Sequence, residues 1–290
     1  MIIEKKFKKN NGTTMNVNWE CYDSAQEMVN DLEKRDYSCD RYRNHQKENE
    51  DRMKYDSDWF GGVSSHKDAF ELLKNGYDVN VKEFDKSFKS NSEGIGKRFT
   101  FRNNVCGFAP VVPLSILNVP ECMVDITTKP IKAKVVTIVY CNSCYAGTSN
   151  KTILDAGKKF LSAITQLEME GYRFNLFATQ NYTDNYSSDI LTVKVKSANQ
   201  PLDIKRCAFP LMHTAFFRAI GFEWVARTPK GKYRSGYGRE LRTELCSSDF
   251  KRFVEEIYGK NNIYISIDQI RDKGVEHIKE MLKYDKRNKD

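Results

Sequence analysis

No apolar run in the 290-residue chain approaches the roughly 18–20 residues that carry a helix across a bilayer. The opening stretch, MIIEKKFKKNNG, has no continuous apolar segment behind its charges, so no secretory signal is visible and the cytoplasm of the cell that makes the chain is the expected compartment. Histidine is scarce. His45, His66, His213 and His277 are its four examples, each isolated from other ligand types, which argues against a zinc site. No serine or cysteine carries the flanking glycines of a hydrolase nucleophile elbow, and no repeat of 20–50 residues recurs. Cysteine is not lacking, with eight examples, but nothing marks an oxidising compartment and they read as reduced thiols. Cys106 and Cys207 sit in apolar settings, where cysteine behaves as a small hydrophobe. Neither a metal nor a cofactor is expected.

What is present describes a water-soluble globular chain, 40% hydrophobic and 30% charged. Residues 1–18 are polar and read as frayed. Tyr22–Arg35 reads as a helix capped by Asp23 or Ser24, with Met28, Val29 and Leu32 as its apolar stripe. The following stretch to residue 58 is nearly devoid of aliphatics and reads as a charged linker or a solvated helix. A turn at Gly61-Gly62 leads into a helix that starts near Ser64 or Ser65 and ends at Gly76. Short strands broken by Pro110, Pro113 and Pro120 come next. From Val135 onward, strands at Val135–Tyr140, Arg173–Thr179, Ile190–Lys196 and Asn262–Ser266 alternate with helices. That alternation predicts an α/β fold, a mostly parallel sheet flanked by helices, with a smaller mixed N-terminal subdomain. The expected division is a polar region with one helix (1–57), a smaller mixed α/β subdomain (58–130) and the main α/β domain (131–290).

The loop after Val135–Tyr140 runs Cys141-Asn-Ser-Cys-Tyr-Ala-Gly-Thr-Ser-Asn150. This is where a von Willebrand A-type domain places an aspartate and two hydroxyls around a divalent cation. Neither register of the loop supplies a carboxylate, which hard cations require, so the loop is expected to recognise a partner by hydrogen bonding through Asn142, Ser143 and Thr148. Cys141-x-x-Cys144 has the spacing of a redox pair, but the helix behind it starts too late to lower a thiol pKa. His213, in the apolar stretch CAFPLMHTAFFRAIGF, reads as a buried hydrogen-bonded residue. It could instead serve as a base for Cys141, Ser143 or Cys144, which is the enzymatic alternative.

The strongest compositional signal is Val225–Thr243, VARTPKGKYRSGYGRELRT. Arg227, Lys230, Lys232, Arg234, Arg239 and Arg242 stand against the single acid Glu240, so six positives less one negative leave +5 of the chain's +8. Tyr233 and Tyr237 interleave the charges. Cations for phosphates and rings for bases make nucleic acid the leading expected partner, without distinguishing DNA from RNA. A solvated basic surface loop is the plainer reading. A phage or host protein bound through the 141–150 face is the alternative partner.

Several of these pieces resemble an uncharacterised group of bacteriophage and prophage proteins with a von Willebrand A-like α/β domain that lacks the metal-binding aspartate. They are Trp59-Phe60-Gly61 with the helix Ala69–Tyr77, Gly107–Val111 with Val119–Met123, the strand–helix–strand Val135–Leu176, and Ala208-Phe209 through His213, Ala215 and Arg218. The likeness spans roughly residues 58–284. It departs at Asn118, where glycine is usual before the Val-Pro-Glu-Cys-Met turn. The resemblance implies a phage-encoded protein with a von Willebrand A-like sheet, no established activity, and His213 and Arg218 as site candidates. The function expected from all of this is a non-enzymatic binding module acting during infection.

Overall fold

The computed structural model describes residues 2–79, 97–130, 134–183, 186–228, 245–260, 262–273 and 276–287. Among the described residues nine strands form two sheets. The larger contains β1 (Ile2–Lys8), β2 (Thr14–Tyr22), β6 (Lys134–Cys141), β7 (Tyr172–Thr183), β8 (Ser187–Lys196) and β9 (Asn262–Ser266), in the order β1-β2-β8-β7-β6-β9; the smaller contains β3 (Lys97–Asn104), β4 (Ala109–Pro110) and β5 (Met123–Pro130), in the order β3-β5-β4. In the larger sheet β6 lies parallel to β7 and β9, and β2 lies parallel to β8, while the β7–β8 and β1–β2 pairs are antiparallel. The sheet is therefore mixed, which corrects the expectation of a mostly parallel one. The reason is local: the few residues between Thr183 and Ser187 can only join antiparallel neighbours, because a parallel pair needs a long crossover.

The N-terminus is a second correction. The polar stretch 1–18 is expected to fray, yet residues 2–22 form a hairpin that joins the sheet through β2 and β8. Phe7, Met15 and Val17 are buried against Ile190 and Phe253. The alternation Met15, Val17, Trp19 is the period-2 signal of a strand, masked by the lysines of β1, which keep an outer strand soluble.

Ten helices described here flank the sheets: α1 (Ala25–Leu32), α2 (Asp40–Tyr55), α3 (His66–Asn75), α4 (Val112–Ile116), α5 (Asn150–Met169), α6 (Ile204–Met212), α7 (Phe222–Arg227), α8 (Ser247–Tyr258), α9 (Ile267–Lys273) and α10 (Glu276–Arg287). Ser24, Ser65 and Ser149 cap α1, α3 and α5 through their side-chain oxygens, satisfying amides that the helix itself leaves open. The main core lies on one face of the sheet, where Phe160, Phe209, Phe216 and Trp224 pack on Tyr140, Phe174 and Leu191. On the other face α8 covers Val139, Cys141 and Tyr264. Among the described residues no helix is long and apolar enough to cross a membrane.

The stretch read as a charged linker or solvated helix is α2, and it docks. Tyr42, Gln46, Asn49 and Met53 are its buried residues, spaced at helical intervals, and Gln46 Nε2 donates to Phe222 O at 3.2 Å. Two buried ion pairs tie this region to the core. Glu20 accepts from Arg35 at 2.6 Å and from Trp224 Nε1 at 2.8 Å, and Glu223 pairs with Arg227 at 2.9 Å.

Asn118, where the resembling proteins carry glycine, has φ 53°. This is the left-handed region, and asparagine is the non-glycine residue best able to occupy it.

Candidate functional site

The carboxyl ends of β6, β7 and β9 lie on one side of the larger sheet, the place where open α/β sheets characteristically present their sites. Around the end of β6, three separated pieces of sequence converge: the turn Trp59-Phe60-Gly61, the loop 141–150, and the helical run from His213 to Arg218.

Between α6 and α7 the helix is interrupted by one π-helical turn, Phe216–Gly221. Its cause lies beneath it. Gln180 Nε2 donates to Phe216 O at 2.7 Å, and Tyr182 OH donates to Gln180 Oε1 at 2.8 Å. Gly221 leaves the space these groups occupy, since a Cβ there would stand 1.9 Å from Gln180 Oε1 and 2.0 Å from the Tyr182 hydroxyl. Inserted side chains of this kind widen a helix locally, and such turns frequently mark functional sites.

The π turn aims Arg218 into the protein, where it is 1% exposed. Its guanidinium donates to Trp59 O at 2.9 Å, Ala146 O at 3.2 Å and Thr148 O at 2.6 Å, and lies 4.3 Å from the centre of the Trp59 ring. Its Nε has no hydrogen-bond partner. No carboxylate lies within ion-pairing distance of Arg218 among the described residues. Burial pulls its pKa below the ordinary arginine value, because removing water penalises the charged form. The chain's other sheltered cations differ. Arg35 and Arg227 each face a buried carboxylate, from Glu20 and Glu223, and Lys196 faces half-buried Glu168.

Beside Arg218 is a recess of about 150 Å³ lined by His45, Gln46, Asn49, Arg52, Trp59, Ala146, Phe217, Arg218 and Phe222. Arg52 lies 5.6 Å from the same Trp59 ring. The exposed walls are chiefly apolar, and an apolar surround strengthens any charge pairing made there. Pockets for drug-sized ligands run from roughly 300 to 1,000 Å³, so this one has room for a single small group. It does not suit a whole nucleotide.

The residues expected to recognise a partner are placed differently from the expectation. Asn142 and Ser143 are buried, where the sequence suggested exposed hydrogen-bonding groups. Asn142 Nδ2 donates to Pro210 O at 3.0 Å, and Ser143 Oγ accepts from Asn181 N at 2.7 Å. Buried polar groups are costly unless paired, so these two hold the loop to its neighbours. Thr148 is half-buried and gives its carbonyl to Arg218. His213 is buried too. Its ring stacks on Phe209 and meets Tyr77 edge-on, while Nδ1 accepts from Ala215 N at 3.1 Å. A Cβ on Gly61 would lie 2.9 Å from its Cε1, so the Trp59-Phe60-Gly61 turn rests directly on it. His213 and Arg218 thus grip the same turn from two sides, a physical reason for those motif pieces to occur together.

Arg227 is likewise committed internally. It pairs with Glu223 and donates to Leu32 O at 3.0 Å, Arg35 O at 2.7 Å and Tyr37 OH at 3.2 Å. The other members of the expected nucleic-acid set, Lys230, Lys232, Tyr233, Arg234, Tyr237, Arg239 and Arg242, lie outside the described residues.

Buried Cys144 and Cys207 do not resemble nucleophiles. All eight cysteines are free. Burial pushes Cys144 up to about 11, Arg218 offsetting only part of that shift, and pushes Cys207 up to about 12. Buried Cys141 accepts from Asn181 Nδ2 at 3.3 Å. Among the described residues His213 makes no hydrogen bond to Cys141, Ser143 or Cys144. Thiol labelling of the folded protein at neutral pH is expected to modify exposed Cys39, Cys106 and Cys246 while sparing Cys144 and Cys207. Rapid modification of Cys144 would instead identify an activated thiolate. Among the described residues no three His, Cys, Asp or Glu side chains cluster to hold a metal ion.

Sequence reading singled out Arg218 but missed the α2 side of the recess. The available signal was the spacing of Tyr42, Gln46, Asn49 and Met53, a helical stripe whose middle members are amides.

The chain belongs to the family described as Domain of unknown function (DUF7192), whose model matches residues 8–286. No curated protein and no solved structure matches it.

Proposed function

We propose that this protein is a non-enzymatic binding module for a polyanion, with nucleic acid as the leading partner, and that it seats one phosphate against Arg218. The observation that carries this reading is the buried guanidinium with an unpartnered Nε and, among the described residues, no carboxylate within ion-pairing distance. Burying a charge without an opposite charge costs several kcal/mol, and an anion entering the recess would offset that cost. Arg52 at the rim adds a second cation.

Arg218 and the basic stretch belong to one connection. About ten residues separate Arg218 from Thr228, a helical rise of roughly 15 Å, after which the sequence supplies Lys230, Lys232, Arg234, Arg239 and Arg242. The raised thiol pKa values favour binding over cysteine chemistry. The motif resemblance supports a role during phage infection, with a von Willebrand A-like ancestry for the larger sheet. The second reading is a protein adaptor using the 141–150 face, and it draws on Tyr145, which stands exposed in that loop.

The test is binding of a labelled single-stranded oligonucleotide, followed by anisotropy across a salt series. Lys230→Glu with Lys232→Glu is expected to weaken binding at least about tenfold and to flatten the log affinity–log salt slope by about 1.4, near 0.7 for each lost phosphate contact. Affinity indifferent to both salt and substitution would remove nucleic acid as the partner and favour the adaptor.

A further inference from the structure

The recess beside Arg218 is bordered by two bare aromatic rings. Among the described residues the most exposed aromatic side chains are Tyr55, at 90%, and Tyr145, at 78%, and both belong to this one place. Tyr55 follows Arg52, a lining residue, by three positions on α2, and residues so spaced are neighbours on a helix surface. Tyr145 immediately precedes Ala146, which lines the recess and accepts from both Arg218 and Trp59 Nε1 at 3.2 Å. The Tyr145 ring lies against Gly147, where a Cβ would stand 3.1 Å from its Cε1. It therefore covers the loop between the two carbonyls, of Ala146 and Thr148, that hold Arg218. The rings come from separate elements, α2 and the 141–150 loop, each of which supplies part of the recess wall.

An aromatic ring stabilises a fold by being buried, so two rings left in water contribute little to this one. Cations line the same recess. Arg218 is one, and Arg52 is the other, its side chain 59% exposed and reaching Asp56 only at 4.0 Å. Cations beside exposed rings are what grips an unpaired strand: the charges follow the backbone while bases stack on the rings. In a duplex the base faces are already stacked on one another, and rings of this kind find nothing to cover.

We propose that the ligand of this site is a single-stranded nucleic acid, with one phosphate at Arg218 and neighbouring bases stacked on Tyr55 and Tyr145. The proposal rests on the phosphate reading of Arg218 and adds to it that the bases, and not the backbone alone, are bound.

The test is anisotropy with three labelled probes of one length: a single-stranded oligodeoxynucleotide, its duplex, and an abasic strand that keeps the phosphates and lacks the bases. Wild-type protein should bind the single strand at least about tenfold more tightly than either of the others, the scale of one stacked base. Tyr55→Ala and Tyr145→Ala should each remove about tenfold of the single-strand affinity and leave the abasic strand unaffected. Tyr55→Phe and Tyr145→Phe should restore it, because stacking uses the ring and not the hydroxyl. Both side chains are exposed, so the substitutions should not disturb the fold. A duplex or an abasic strand bound as tightly as the single strand would overturn the proposal, as would wild-type affinity in both alanine variants. An abasic strand whose binding still weakens in Arg218→Met would in that event leave the phosphate seat standing, so the two proposals fail separately.

Discussion

Arg218→Met is expected to leave a folded protein that has lost at least about a hundredfold in affinity for phosphate-bearing ligands, since truncating one partner of a buried charge pair typically costs 2–5 kcal/mol of binding. The fold itself should change little, because two large terms oppose. Methionine gives up three charge-assisted hydrogen bonds to Trp59, Ala146 and Thr148, each contributing roughly 1.5–3 kcal/mol. It also removes a cation whose burial costs several kcal/mol, which Asp56 offsets only in part because it lies beyond ion-pairing distance. The net change in stability should stay within about 2 kcal/mol, the residue of those opposing terms. Arg218→Lys keeps the charge but loses the fork, and should recover part of the binding. Two measurements decide the matter: thermal denaturation with and without pyrophosphate, and anisotropy with the oligonucleotide. Wild-type protein should be stabilised by pyrophosphate and the methionine variant should not. If the variant loses more than about 4 kcal/mol yet binds normally, Arg218 is a clamp on the Trp59 turn and no phosphate site.

Arg218 also shows what the sequence could and could not disclose. Its helix motif was visible, but burial without a counter-ion is a property of three dimensions. The carbonyls it meets belong to residues 59, 146 and 148, 70 or more positions away in the chain. The main helices and the strands from Val135 onward were readable because their apolar residues recur at 3.6 or 2, and serine caps marked their starts. The hairpin of residues 2–22 was not, because charge on β1 hid an alternation that is plain only in β2. Strand direction was hidden for a different reason. The same apolar run serves a parallel or an antiparallel neighbour, and the apolar stretch Ile190–Lys196 conceals the shortness of the β7–β8 connection, because β8 begins at polar Ser187.

The loop 141–150 illustrates a further limit. Its polar composition, Asn142, Ser143 and Thr148, suggested a face turned outward. Asn142 and Ser143 turn inward, because the backbone ends of β6 and β7 and the carbonyl of Pro210 all need partners there. Polarity in a loop marks hydrogen bonds to be made; it does not say with whom.

His213 should make stability fall on acidification within a defined window. Burial pushes its pKa from 6.5 down to about 4, and a backbone hydrogen bond with Gly61 offsets only part of that shift. The ring is enclosed by Phe209, Tyr77 and the Trp59-Phe60-Gly61 turn, with no carboxylate to welcome a proton. In the unfolded chain the imidazole takes its proton near 6.5; in the folded chain it resists until near 4. Between those values the unfolded state binds more protons, so stability rises with pH across the window. The full contribution is present above about pH 6.5 and is lost as pH falls towards 4, with a total on the order of 3 kcal/mol. Glu20, held below the usual carboxylate range, adds a loss of the same sign at lower pH. Although burial alone would raise its pKa, hydrogen bonds from Arg35 and Trp224 prevail. Urea denaturation of wild type and His213→Gln at pH 7 and pH 4.5 separates the two residues. The glutamine variant should be less stable at pH 7 yet lose about 2 kcal/mol less than wild type between the two pH values. Equal losses in both proteins would mean that His213 accepts its proton in place, and that the contact between its ring and the Trp59 turn is looser than the structure shows.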